Sequence, residues 1–281
     1  MEDDIKIIKS NIALLLQKNE LIDNLKHEMY RETAILAQTS RDISTVDDLV
    51  RIFENIHGNT LFKTNLNDFS AFSMEVGNLC GNKFGGFPVA RTSSSSFASI
   101  AYMQNSYSDA AYRKFATRFK KSSASYFPGF REVCEDVYYG RSTHAIIPIY
   151  TSKDGQLLSF SKLILKYDLK IFSECNIEMN DDSVMRFALL QKGLLLNDES
   201  THLDFSVILP DNIREGDFVS SLESLGGKLI MINSNPLEYS DEKYNLSLRV
   251  EISNLNPDAL FLFLEGSQIS YEIIGFYSII N

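Results

Sequence analysis

From Ser96 to the C-terminus the hydrophobic period keeps switching, and that switching restricts the chain to a mixed α and β fold. FASIAYM (97–103), SASYF (123–127), HAIIPIY (144–150), LKIFSECNIE (169–178) and VMRFALLQ (184–191) are short apolar or alternating runs, predicted as strands. Between them, SYSDAAYRKFATRFK (106–120), FREVCEDVYYG (130–140) and SFSKLILKY (159–167) are predicted as helices. Ser106 or Ser108 supplies the cap of the first, and Gly140 closes the second. Strands alternating with helices predict an α/β layer on a largely parallel sheet. From about His202 the order becomes HLDFSVILP, REGDFVSSLESLG, GKLIMINSNP, YNLSLRVEIS, NPDALFLFLEG and SQISYEIIGFYSII. That is βαββαβ, the ferredoxin-like arrangement.

The N-terminal part carries a different signature. Ile5, Ile8, Ile12, Leu15, Asn19, Ile22, Lys26, Met29, Thr33 and Leu36 fall at alternating spacings of three and four. This is a heptad with Ile8, Leu15, Ile22, Met29 and Leu36 at d. Two readings stay open. The seam pairs with a second chain, with Asn19 fixing register, or the helix folds back on its own domain. A second helix is predicted after Ser44-Thr45, through Leu49, Ile52, Phe53 and Ile56, with Gly58 as its stop. Weaker helical character runs from Phe69 to Leu79. GNKFGGFPVARTSSSS (81–96) reads as a connector; its serine run lacks the following GK[ST] helix start of a phosphate loop.

Charge and composition narrow the function classes. A net charge of −10 argues against a nucleic-acid surface, which needs a basic stripe, and against an anionic membrane surface. It leaves room for a small anion held by one arginine in a cleft. Cys80, Cys134 and Cys175 form no CxxC pair, and the four histidines have no metal-ligand spacing. Reduced buried thiols in a cytoplasmic protein are the expectation, with no metal and no cofactor. The N-terminus lacks a basic region followed by an apolar core, and no apolar run has the length of a membrane span.

SVMRFALLQKG (183–193) poses a sharper question, because Arg186 stands inside a predicted strand. A guanidinium there needs a partner or a task. Arg186 is a working anion ligand near Ser106 and Ser152, a relic of one, or a structural partner of a carboxylate such as Glu174 or Asp182.

The region from about 96 to 281 resembles the prephenate dehydratase family followed by its regulatory ACT domain. NSYSDAAYRKF resembles the family's opening segment, with Ser106, Tyr107, Ser108, Ala110 and Ala111 in place and Tyr102 and Asn105 at its two glycines. GFREVCEDVYYGRSTHAIIPIYTSKDGQL resembles the helix and strand leading to P-[IL]-E-N-S-x-x-G. Pro148, Ile149, Ser152 and Gly155 match, and Tyr150 and Thr151 replace Glu-Asn. SVMRFALL resembles the family's Thr-Arg-Phe strand, with Arg186 and Phe187 matching and Met185 at the threonine. The resemblance implies that Arg186 meets a substrate carboxylate, for which a guanidinium fork is suited. It implies one lobe of a periplasmic-binding-type domain, and relic catalytic residues Arg186, Phe187, Ser106, Ser108 and Ser152. The family carries a second lobe between its P-x-E-N-S and Thr-Arg-Phe strands, whereas the stretch from Gly155 to Arg186 has room for one helix and one strand.

EGDFVSSLESLGGKLIMINSNP resembles the two ACT motifs that hold phenylalanine, with Gly216, Phe218 and Val219 at the first and Asn233, Ser234 and Asn235 at the second. Gly216, Val219, Ser234 and Pro236 match; the glutamate and arginine of the second motif do not. The N-terminal helix invites comparison with chorismate mutase, but its first arginine is Arg31, within RETAIL (31–36).

The expected organisation is α+β in three parts. Residues 1–90 form a helical, coiled-coil or chorismate mutase-like dimerisation region, 91–197 a truncated dehydratase-like lobe, and 198–281 an ACT-like domain. The expected function is a non-catalytic sensing or regulatory homodimer of the phenylalanine branch, taking an aromatic amino acid or a prephenate-like ligand. The alternatives are an active chorismate mutase or prephenate dehydratase, and a dimeric scaffold.

Overall fold

The computed structural model describes residues 2–58, 61, 65–90, 97–196, 199–237 and 240–280, with backbone alone for 2–8, 90, 235–237 and 240–243. The N-terminal helices are α1 (Glu2–Thr39), α2 (Val46–His57) and α3 (Leu66–Cys80), followed by a 3₁₀ turn at Gly81–Phe84. The middle of the chain holds β1 (Val89–Ala90), β2 (Phe97–Met103), α4 (Ser106–Ala116), β3 (Lys121–Phe127), α5 (Phe130–Tyr138) and β4 (His144–Thr151). Then come β5 (Gly155–Gln156), α6 (Leu158–Lys166), β6 (Leu169–Glu178), β7 (Val184–Lys192) and β8 (Leu194–Leu195). The C-terminal run is β9 (His202–Ile208), α7 (Glu215–Ser224), β10 (Lys228–Leu237), β11 (Ser240–Glu251), α8 (Pro257–Gly266) and β12 (Ser270–Ile280). The chain is α+β, as its hydrophobic periods predict.

By packing, the described chain gathers into two compact units. One contains Met1–Phe87, Pro210–Gly226 and Leu255–Ile269; the other contains Pro88–Leu209, Gly227–Asn254 and Ser270–Asn281. The C-terminal helices α7 and α8 therefore belong with the N-terminal helices.

The first unit is helical and aromatic at its centre. Tyr30, Phe53, Phe69, Phe72, Phe218 and Phe263 are fully buried. Tyr30 meets Phe72 edge-on with ring centroids 5.6 Å apart, and Phe53 meets Phe69 at 5.0 Å. A Cβ added to Gly77 of α3 would lie 2.6 Å from the Ala259 nitrogen of α8, so these helices cross in backbone contact. Thr45 and Asp48 form a reciprocal capping box at the start of α2, and left-handed Gly58 (φ 62°) ends it. The heptad of α1 divides. Its C-terminal half packs through Tyr30, Ala34 and Ala37, one stripe away from the d positions. Leu15, Ile22, Met29 and Leu36 are exposed, as is Ile12. The side chains of Ile5 and Ile8 lie outside the described residues.

The second unit is built on a ten-stranded sheet in the order β10-β11-β9-β12-β6-β7-β4-β2-β3, with β5 paired to β4; β1 and β8 form a separate parallel pair. Its last four strands in sequence have the ferredoxin-like order β12-β9-β11-β10. The expectation of a largely parallel sheet is corrected. Among the described residues, only β2–β3, β2–β4 and β12–β6 are parallel in the large sheet. The reason is local: β6 and β7 are joined by the turn at 179–183 with no crossover helix, so β7 runs back against both β6 and β4.

Two apolar layers cover the sheet in this region. Ala111 and Phe115 of α4 pack with Ile146, Phe187 and Leu189 on one face. Val133 and Val137 of α5 and Ile164 of α6 pack with Ile147, Ala188 and Leu190 on the other. His144 is a core residue between Phe119 and Phe172, and burial lowers its pKa to about 4. The three cysteines are free thiols, and burial pushes Cys134 and Cys175 up to about 12.

The ferredoxin-like strands join the rest of the sheet where Ser278 and Ile279 of β12 lie beside Ser173 and Glu174 of β6. The two strands approach closely at Gly275, where an added Cβ would lie 2.5 Å from the Ile171 carbonyl oxygen. Gly275→Ala is expected to destabilise the protein by about 1–3 kcal/mol through overpacking. This would appear as a lower urea midpoint with an unchanged slope; an unchanged midpoint would show that the two strands can part without cost.

Candidate functional site

Strand alternation decides which way each side chain of SVMRFALL points. Met185 and Phe187 enter the apolar layer shared with α4, where Tyr107 and Ala110 also pack. Arg186 points to the opposite face. There a register shift in β4 between Pro148 and Tyr150 brings Tyr150 opposite Arg186. Pro148 is tolerated because pairing of β4 with β2 ends at Ile146, so no ladder bond is lost on that side. The Arg186 guanidinium sits 5.0 Å from the centre of the Tyr150 ring. Its Nε donates to Asn176 Oδ1 at 3.3 Å and lies 3.7 Å from Glu174 Oε2. A second register shift, in β6 between Ile171 and Ser173, turns Glu174 and Asn176 to this face.

Glu174 is completely buried, and its stronger partner is Arg249 of β11. Arg249 Nη2 donates to Glu174 Oε1 at 2.6 Å and to Asp204 Oδ2 at 2.7 Å, and Nε donates to Asp204 Oδ1 at 2.9 Å. Tyr277 donates its hydroxyl to Asp204 Oδ1 at 2.7 Å. Two guanidiniums and two carboxylates thus share one neighbourhood. Burial raises the Glu174 pKa to about 7, with Arg249 pulling the other way and Asp204 adding to the rise. Burial also opposes the charge on Arg249, but Asp204 and Glu174 more than offset it and hold the guanidinium protonated.

Beside this cluster lies a cavity of about 80 Å³, walled by Arg186, Arg249, Tyr150, Asn245, Ser206 and Ser247 among others. Ile164 and Leu165 of α6 and Met231 of β10 give it apolar sides. Guanidinium donors, hydroxyls and an amide around an apolar space suit binding of a small polar-headed molecule. No group of three or more His, Cys, Asp or Glu among the described residues could hold a metal ion.

The predicted site residues are not gathered at one place. Ser106 is the first residue of α4, but the cap is Asn105, whose side chain accepts from the Tyr107 and Ser108 amides; the expected serine cap is corrected. The Asn105 side chain reaches two orphan amides at once, as caps do. Ser108 is buried on the α4 face, away from the Arg186 face. Ser152 accepts from the Val184 amide and ties the turn after β4 to the start of β7. Phe187 is core. Gly216, Phe218 and Val219 lie on α7 in the helical unit, with Phe218 packed at 6.2 Å from Phe263. Asn233 on β10 donates to Gln156 at 3.0 Å, Ser234 is exposed, and the Asn235 side chain lies outside the described residues.

Arg249 and Asn245 were missed. The signal for Arg249 was present: it interrupts LSLRVEIS as Arg186 interrupts VMRFALL, and a strand arginine with no family motif around it carries the same demand for a partner.

Residues 101–191 match the family model of prephenate dehydratase. The middle of this chain is prephenate dehydratase-like. Three solved structures share its fold. The prephenate dehydratase of Streptococcus mutans is 23% identical with a TM-score of 0.52, over 65% of this chain and 99% of that one. The prephenate dehydratase of Arthrobacter aurescens in complex with L-Phe is 14% identical with a TM-score of 0.51, over 64% and 90%. GqqA, described as a novel type of quorum-quenching acylase, is 19% identical with a TM-score of 0.50, over 64% and 94%. No curated protein matches the sequence. No helix among the described residues is long and apolar enough to cross a membrane.

The two arginines beside Glu174 differ in what depends on them. Arg249→Met leaves Glu174 and Asp204 buried without their cation, at an expected cost of about 3–5 kcal/mol. Arg186→Met removes a longer, partly exposed pairing and is expected to cost about 1 kcal/mol. Urea denaturation of the two variants separates these values. Equal losses would make Arg186 as much a structural clamp as Arg249.

Proposed function

We propose that the protein is a non-catalytic, ligand-sensing homodimer derived from the phenylalanine branch, in which a prephenate dehydratase-like lobe and an ACT-like βαββαβ segment survive without the chemistry. The observation that carries this reading is the position of Met185. It takes the place where the resembling family has threonine, and its thioether is packed into the apolar layer with Phe187. A thioether cannot deliver a proton to a leaving hydroxyl. Three further features support it. Between Gly155 and Arg186 the chain forms α6 and β6, so a cleft between two lobes would have one wall. Thr151, at the position of the family's asparagine, bonds Asp154 to shape the following turn. Arg186 has Glu174, Asn176 and Tyr150 around it. The L-Phe bound to the Arthrobacter aurescens relative supports an amino acid or similar carboxylate as the ligand class.

The test is proton NMR of the purified protein with prephenate and, separately, chorismate at neutral pH. The expected result is consumption at the rate of the protein-free control. Phenylpyruvate appearing faster, and lost on Arg186→Ala, would make the protein a dehydratase. Prephenate formed from chorismate would place a mutase in α1–α3.

The homodimer is supported by α1. Leu15, Ile22, Met29 and Leu36 recur at heptad spacing and are between 43% and 61% exposed within one chain, an apolar stripe a second copy would cover. The same stripe favours the scaffold reading if no small molecule binds. Leu15→Glu is expected to convert a dimer to a monomer in light scattering without lowering helix content; a wild-type monomer at tens of micromolar (on the order of 10⁻⁵ M) would remove the dimer.

A further inference from the structure

Every residue of α1 from Lys9 to Leu25 is exposed, a stretch about 25 Å long. Along it runs a second apolar line beside that of Ile12, Leu15 and Ile22. Asn11, Leu14, Lys18, Leu21 and Leu25 fall at alternating spacings of three and four, a heptad seam set one residue before the first. Leu14, Leu21 and Leu25 are between 50% and 60% exposed, so this seam is as open as the other. Lys9, Glu20 and Asn24 occupy the opposite side of the helix. A two-stranded coil covers one seam and leaves these three leucines in water.

The angle between the seams indicates how many helices are needed to cover both. Successive residues of a helix are turned by about 100°, and that is the offset of one seam from the other. Identical chains that meet through two different self-complementary contacts close into a ring with an even number of helices. The two neighbours of each helix stand about 90° apart in a ring of four and about 120° apart in a ring of six, so the seams fit four. A ring of four in which every contact is a two-fold has D2 symmetry, and its neighbouring helices run antiparallel. That direction suits the second seam, because parallel chains in register would set Lys18 against its own copy, and it also suits the helix dipoles.

We propose that the second seam joins two α1 pairs into a four-helix bundle, so that the protein is a homotetramer built from two dimers. The pairs are those of the homodimer reading, on which this tetramer rests. Two pairs meet through two copies of the second seam at once, whereas two single chains would meet through one, with Lys18 in its middle; the second seam therefore joins pairs and not single chains. Another copy of the chain is the occupant because both seams lie on one stretch, at the angle at which identical helices close.

Light scattering on the full chain tests the bundle. The wild-type protein is expected to have the mass of four chains. Leu21→Glu is expected to give two chains, and Leu15→Glu, which breaks the pairs, one. Asn24→Glu, on the outer side of the same stretch, is expected to leave four, with circular dichroism showing the same helix content throughout. A wild-type mass of two chains overturns the tetramer and leaves the homodimer standing, whereas a mass of one chain ends both. A tetramer that survives Leu21→Glu, or that Asn24→Glu breaks as readily, also overturns the bundle, because the four chains would then be held elsewhere.

Discussion

Glu174 is a carboxylate with no contact to water, and the arrangement of the sheet-bearing unit follows from what it needs. Its main compensation arrives from another part of the chain, as Arg249 on β11. Between the two strands lie β9 and β12, and each contributes: Asp204 holds the guanidinium from one, and the Tyr277 ring lies 5.5 Å beneath it on the other. Four strands are thus committed to one charge cluster. The apolar layers would tolerate a slip of β12 against β6 by the loss of some packing. The cluster would not, because a slip leaves an ion buried without its partner, and that penalty is several kcal/mol.

This constraint also bears on the surroundings of Arg186. It stands second in line to a carboxylate that Arg249 already satisfies, 3.7 Å from the oxygen Arg249 does not use. It also contacts the Asn176 amide and the Tyr150 ring. Arg186 has an internal carboxylate beside it. That carboxylate is Glu174 of the protein's own β6.

Much of the architecture was legible. The strands at 144–150, 169–178 and 184–191 and the helix at 159–167 sit within a residue or so of their observed bounds, because two-residue and 3.6-residue hydrophobic periods are local properties. The βαββαβ order and its ferredoxin-like strand arrangement followed from the same periods. The site was less legible. Tyr150 and Glu174 reach their face through register shifts at Pro148–Tyr150 and Ile171–Ser173, and a shift of one residue reverses every side chain after it. Pro148 hinted at the first; nothing in KIFSEC announces the second.

By itself the sequence determined which segments are helix and which are strand, and the likeness to prephenate dehydratase around Arg186. Those are matters of residue identity and short-range pattern. Only the tertiary structure decided that β7 runs antiparallel to both neighbours, that α7 and α8 gather with the N-terminal helices, and that Arg249 is the cation on which the buried carboxylates depend. Each of these brings together residues tens of positions apart, and the energy that selects them, desolvation of charge and contact of apolar faces, is felt only once the chain has closed.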